Sequence, residues 1–297
     1  MNPLRLLVLA ALIIGAGTTA LRGQDPELRR TLERAYGGWK QALIAQDLTR
    51  WQQNTATHRQ MATRNLIVSQ KQEFPHALFA IPMRPPEIAT LRFVGLAEKG
   101  NTANLVYFGK VDLGLVDPAE VPESLLLLKF VRESTGWKFD TTRLFNLAGA
   151  PPSIQATLKN GGQANFLDDP AFAPTGDVPP VPKACPIPDR IGVLQIASFG
   201  YATKATVNGF DVAMVQDNAE EHLVIGGLKN GDNPMVVETR QLPVPEGEQR
   251  SLEINAVILT GDQKRPTIEV FSWKPEKHPV PEFQKMTIFV NKITMRE

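Results

Sequence analysis

Seven prolines fall between Pro170 and Pro188, and they constrain this chain more than any other feature. Proline donates no backbone hydrogen bond and fixes its own φ, so this stretch can be neither a helix interior nor a central strand. It is expected to be stiff and extended, a linker over residues 149–189 that divides the chain into two blocks. A length of 297 residues fits two domains. The expected division is a signal at 1–20, an α+β domain at 25–148, the linker, and an all-β domain at 190–297.

The chain opens with an export-type pattern. Arg5 is the only charged residue before position 22, and Leu6 to Ala16 is an unbroken apolar block. Thr18 and Ala20 then sit at the minus-three and minus-one positions of a cut after Ala20. A short basic end, an apolar core and small residues are the order of a secretory signal. Eleven residues are too few to span a bilayer, which takes about 20. An uncleaved anchor would need the whole stretch from Leu4 to Leu21, and it would be the only route to the membrane. No Cys follows the block, which argues against a lipid-anchored lipoprotein.

Composition and charge narrow the function classes. The chain is 42% hydrophobic and 21% charged with a net charge of +1, which fits cored domains and not a disordered chain. Residues 25–150 carry 16 basic and 13 acidic residues, and residues 190–297 carry 12 and 14. Such a balance gives no electrostatic footprint for nucleic acid. Cys185 is the only cysteine, so no disulfide forms within the chain and apolar cores must hold it. It reads as an incidental thiol, with an intermolecular disulfide or a reactive thiol as the alternative.

After the signal the pattern is helical. Leu28, Leu32, Tyr36, Trp39 and Leu43 recur at intervals of 4, 4, 3 and 4, one stripe of a helix that Asp25-Pro26 can start. A second helical stretch runs from about Asp47 to Gln72, broken near residue 57, with Trp51, Thr55, His58, Ala62 and Leu66 on a common side. Pro75, Pro82, Pro85 and Pro86 then mark a loop.

Strands follow. Ile88–Glu98 and Thr102–Leu113 form one hairpin across Lys99-Gly100-Asn101, and Ser124–Glu133 and Gly136–Leu147 form a second. Alternation in the last strand sends Trp137 and Phe139 to one face and Lys138 and Asp140 to the other. Residues 152–160 fit one short helix. From 190 onward eight short strands are expected: Ile191–Phe199, Lys204–Val207, Phe210–Val215, His222–Ile225, Met235–Arg240, Ser251–Leu259, Thr267–Trp273 and Gln284–Thr294. Their turn-punctuated spacing suggests an antiparallel sandwich.

Two resemblances attach to these residues. The helix AYGGWKQALIAQ, the turn into QDLTRW and the hairpin LLLKFVRESTGWKFD make residues 25–148 resemble the NTF2-like, or cystatin-like, cone. The resemblance implies an α+β domain in which a curved sheet wraps a helix. That family includes isomerases, cyclases and dehydratases as well as non-catalytic binding modules. ATVNGFDV and LVIGGLKNGDNPMVV resemble phrases of bacterial jelly-roll or immunoglobulin-like modules. The expected fold class is therefore an NTF2-like cone plus a separate all-β antiparallel sandwich.

Candidate chemistry is sparse. Catalytic cones place an acid or base in the pocket between helix and sheet, where burial tunes it. Asp47, Trp51 and His58 are the candidate pocket residues here, with His76 and Asp140 as further titratable groups. The ordinary roles are a helix cap for Asp47, a packed histidine for His58, an exposed His76 and a solvated Asp140. No His-Asp dyad is recognisable. The histidines at 58, 76, 222 and 278 lack metal-ligand spacing, so no metal or cofactor is expected. Asp217, Glu220, Glu221 and His222 form an acidic cluster expected to be a solvated turn, and Asp168-Asp169 is expected to be solvated too. GxSxG, Walker and GxGxxG motifs are absent. Tyr201 and Trp273 are the candidates for stacking on a sugar, with Phe271 sharing the face of Trp273.

The leading expectation is an exported, non-enzymatic binding or assembly protein of the bacterial envelope, with a protein or glycan partner and room for a homodimer. The alternatives are a carbohydrate-binding β-module with an accessory domain, and an isomerase- or cyclase-type enzyme acting on a small apolar molecule.

Overall fold

The fold was analysed in a computed structural model that describes residues 25–80, 82–162 and 169–291. The signal or anchor, Asp168 and the end of the last expected strand lie outside these residues. The chain is mostly antiparallel β-sheet. No helix of the described residues is long and apolar enough to cross a membrane.

Helix α1 spans Pro26–Ile44 and starts as expected, with the Asp25 carboxylate accepting from the N–H groups of Glu27 and Leu28. The second helical stretch is two helices, α2 (Leu48–Asn54) and α3 (Thr57–Ser69). Between them, Thr55 and Ala56 run extended along Phe139, and the Ala56 N–H donates to its carbonyl at 2.8 Å. Gly38 has a packing reason, since a Cβ there would run into the side chain of Asn54 on α2. A short helix α4 (His76–Phe79) follows within the expected loop.

Strands β1 (Arg92–Lys99), β2 (Thr102–Lys110), β3 (Glu123–Glu133) and β4 (Gly136–Asn146) form a sheet in sequence order. One face packs Leu105, Leu126, Leu128 and Phe130 against Leu32 and Tyr36 of α1. The opposite face is equally apolar, with Val94, Val106, Phe108, Leu125 and Leu127. That face has to be covered, because apolar area left in water costs about 25 cal/mol per Å².

The cover comes from the stretch read as a spacer. Helix α5 (Pro152–Lys159) and Phe172 pack on this outer face. Asn104 Nδ2 donates to the Phe172 carbonyl at 2.9 Å, and Gly176 exchanges bonds with Thr102 and Asn101. Much of 149–189 is therefore a strap bound to the first sheet and not a free extended connector.

The C-terminal strands are fewer and longer than expected. They are β5 (Ile191–Val207), β6 (Phe210–Leu223), β7 (Gly231–Gln241), β8 (Ser251–Leu259), β9 (Thr267–Trp273) and β10 (Phe283–Val290). Strand β5 pairs β6 along one edge, while its other edge pairs β8 over its first half and β7 over its second. A bulge at Gly200, φ +72°, bends it between the two. The strands expected to make a sandwich thus form one nearly closed, barrel-like sheet around Leu194, Ile196, Tyr201, Val237 and Ile254.

Helix α3 ties the two blocks together. Asn65 donates to the Lys183 carbonyl at 2.7 Å and accepts from the Cys185 N–H at 2.9 Å, so its amide reads the backbone as a strand would. Ser69 Oγ accepts from the Gly226 N–H of the barrel at 2.8 Å. Cys185 is buried at this joint, its sulfur 3.6 Å from the Asn65 carbonyl.

Candidate functional site

The feature best suited to a ligand is an apolar groove of about 540 Å³ in the N-terminal block. One wall is the C-terminal part of α1, with Trp39, Leu43 and Ile44, and the floor is Leu126, Thr142 and Leu144 of β3 and β4. The second wall is α4 and the Pro82–Pro86 strap. Prolines suit this strap because it joins no sheet. It is fastened by the Arg84 N–H to the Leu113 carbonyl at 3.0 Å and by the Tyr36 hydroxyl to the Pro86 carbonyl at 2.7 Å. Burial, and then the charge of Glu87, push the Tyr36 phenol well above its ordinary range, so it stays a donor. The Lys40–Glu87 ion pair clamps the strap to α1.

The lining is almost without polar side chains. Among the described lining residues only the Trp39 indole, the Thr142 hydroxyl and the Arg84 guanidinium carry polar groups. None is an acid or base suited to proton transfer near neutral pH. The volume lies within the roughly 300–1,000 Å³ common for small-molecule sites.

None of the pocket residues expected from sequence lines the groove. Asp47 is exposed and caps α2, accepting from the Arg50 N–H at 2.9 Å. Trp51 is buried behind the groove against Ala42, Ile67 and Leu78. His58 is buried elsewhere, at the start of α3, with Nε2 2.9 Å from Asp140 Oδ1. His76 is exposed.

Asp140 is a correction, because it is buried and not solvated. The pairing of β3 and β4 passes from Lys129 opposite Thr141 to Phe130 opposite Phe139, leaving Asp140 as the extra residue of a bulge. Strict alternation fails at a bulge, so Phe139 and Asp140 both turn inward. The carboxylate also accepts from Arg59 Nε at 3.0 Å. Burial alone would raise the Asp140 carboxyl, but the hydrogen bond from His58 and the Arg59 charge outweigh it and hold it below its ordinary value. An ionised carboxylate only accepts, so His58 Nε2 carries the proton. His58 Nδ1 is buried without a hydrogen-bond partner among the described residues. A His-Asp pair therefore exists that alternation concealed, and it lies outside the groove lining.

The barrel corrects the stacking candidates. Tyr201 is fully buried, its hydroxyl 3.0 Å from His278 Nδ1 and accepting from the Val280 N–H at 3.2 Å. Trp273 is half-buried against the barrel core together with Phe271. The exposed rings are instead Phe199, Phe283 and Phe289. The acidic cluster is no turn, since Asn218 to His222 pair with Ser198 to Leu194 within β6. Glu220 bonds His222 at 2.9 Å, and Asp217 accepts from the Gly200 N–H at 2.9 Å. No group of three or more His, Cys, Asp or Glu side chains placed so as to hold a metal ion occurs among the described residues.

Comparison with family models, curated proteins and solved structures gives no match.

Proposed function

We propose that this chain is a non-enzymatic binding protein that takes an apolar ligand or partner segment into the groove beside α1, acting after export in the bacterial envelope. The observation that carries the reading is the groove itself: open, lined by Trp39, Leu43, Phe79 and Leu144, and without a paired acid and base. The basic, apolar and small-residue order of residues 1–20 supports export. The helices followed by hairpins support the likeness of residues 25–148 to NTF2-like domains, whose non-catalytic members are binding modules.

An enzyme would need His58 or Asp47 facing the groove, and neither lines it. A sugar platform built on Tyr201 and Trp273 would need rings in solvent, and Tyr201 is wholly buried.

Fluorescence titration with the neutral dye Nile red tests this reading. Saturable uptake by the wild type and loss of at least tenfold in affinity for Leu144→Lys are expected. Leu144 is exposed at the groove, so its replacement leaves the core intact. Absence of saturable uptake overturns the proposal.

A further inference from the structure

We propose that the occupant of the groove is a free amphiphile with an acyl chain and an anionic headgroup, of the long-chain carboxylate type; this rests on the binding function proposed above. The groove continues into a second, polar pocket, and the two share Ile44, Arg84 and Pro85. That pocket holds three cations, Lys40, Arg84 and Lys110, against two carboxylates, Glu87 and Asp112.

One carboxylate is paired with a cation and the other accepts a backbone N–H, and three cations against two carboxylates leave the pocket with a formal net charge of +1. Glu87 pairs with Lys40, and Asp112 accepts from the Gly114 N–H at 2.7 Å. Arg84 pairs with no carboxylate among the described residues, and its stem packs along Gly114. Lys110 forms no ion pair among them either, and its ammonium reaches only the Ala119 carbonyl at 3.5 Å. An apolar trough thus ends at an uncommitted guanidinium with an ammonium in the same pocket.

The lining chooses between an acyl chain and a peptide. A peptide brings an N–H and a carbonyl with every residue, and burying these unpaired costs about 1–3 kcal/mol each by mutational measures. The lining offers few partners for them, whereas a hydrocarbon chain needs none. A carboxylate headgroup then finds the planar donor fork that suits it in Arg84.

The test is displacement of Nile red from the full chain by hexadecanoate, hexadecanol and hexadecylamine. Hexadecanoate should displace the dye at concentrations at least tenfold lower than the other two. Arg84→Gln should bring hexadecanoate level with hexadecanol, and raised salt should weaken the carboxylate alone. Arg84 is exposed, so this substitution leaves the core packing untouched. Equal displacement by all three chains overturns the headgroup assignment while the groove function stands. Failure of Nile red itself to bind overturns both. Cosedimentation with phosphatidylglycerol vesicles, without uptake of free hexadecanoate, overturns the free amphiphile in favour of a membrane surface.

Discussion

His58 Nε2 and Asp140 Oδ1 lie 2.9 Å apart although 82 residues separate them, and both side chains are buried. The pair fixes the start of α3 to the bulge in β4. Glu133 adds to the attachment by accepting from the Thr57 N–H at 2.7 Å and from its hydroxyl at 3.0 Å. Asp140→Asn should destabilise the chain by about 2 kcal/mol, as expected for losing hydrogen bonds to a charged group. Urea unfolding at pH 7 measures it, and an unchanged midpoint would show that the pair is energetically idle.

The same carboxylate sets a pH dependence. Its folded pKa is depressed, so its contribution is fully present above the unfolded value of about 3.9 and is lost as pH falls through the folded value. Wild-type stability should therefore drop more steeply than that of Asp140→Asn on acidification below about pH 4. Parallel urea midpoints for the two proteins over that range would contradict this.

Leu127 and Leu128 point to opposite faces of β3, yet both are wholly buried. Replacing either by Ala should cost about 2–5 kcal/mol, the range for buried leucines. A sheet with one wet face would tolerate one of the two. Thermal unfolding of both variants decides, and a near-neutral Leu127→Ala would mean that the Phe172 strap does not cover that face.

Asn65→Ala removes two of the three bonds that hold the backbone of Lys183 and Cys185 on α3, leaving the one from Arg64 to the Cys185 carbonyl. Trypsin should then cut after Lys183 at least tenfold faster, while the barrel core stays intact. Equal cleavage rates would show that the strap is held by other contacts.

Gly227 sits at φ +57°, and a Cβ there would run into Pro188 and the Arg190 carbonyl. Gly227→Ala should cost more than about 1 kcal/mol, since both backbone strain and collision oppose it. A melting temperature equal to wild type would rule this out.

The legible parts of the fold are those that clear turn residues bound. Strands β8 and β9 match their expected limits residue for residue, because turn residues mark both ends of each, even though a bulge interrupts their pairing at Ala256/Val257. The pattern divides β5 into Ile191–Phe199 and Lys204–Val207 because Gly200 reads as punctuation, whereas the strand runs unbroken over Ile191–Val207. In the fold a bulge there shifts the parity, so Leu194, Ile196 and Ser198 face inward before it and Tyr201, Thr203 and Ala205 after it. The same physics hid Asp140, since no composition signal marks which residue of GWKFDTT is the extra one. The groove was illegible for another reason. Its lining converges from α1, α4, the proline strap, the segment after β2, and strands β3 and β4, and no local pattern records that convergence. The Pro-rich stretch misled because prolines exclude it from a sheet ladder but say nothing about what its Phe172 packs on.

Strand β5 is paired with three partners and lends one half to each side of the barrel. It works as a keystone: neither side can open alone, because freeing one leaves the other without its central neighbour. Amide protons near Ile196 and near Ala205 should accordingly exchange with solvent through one shared, global opening, and the C-terminal block offers no smaller piece that could be cut away and still stand.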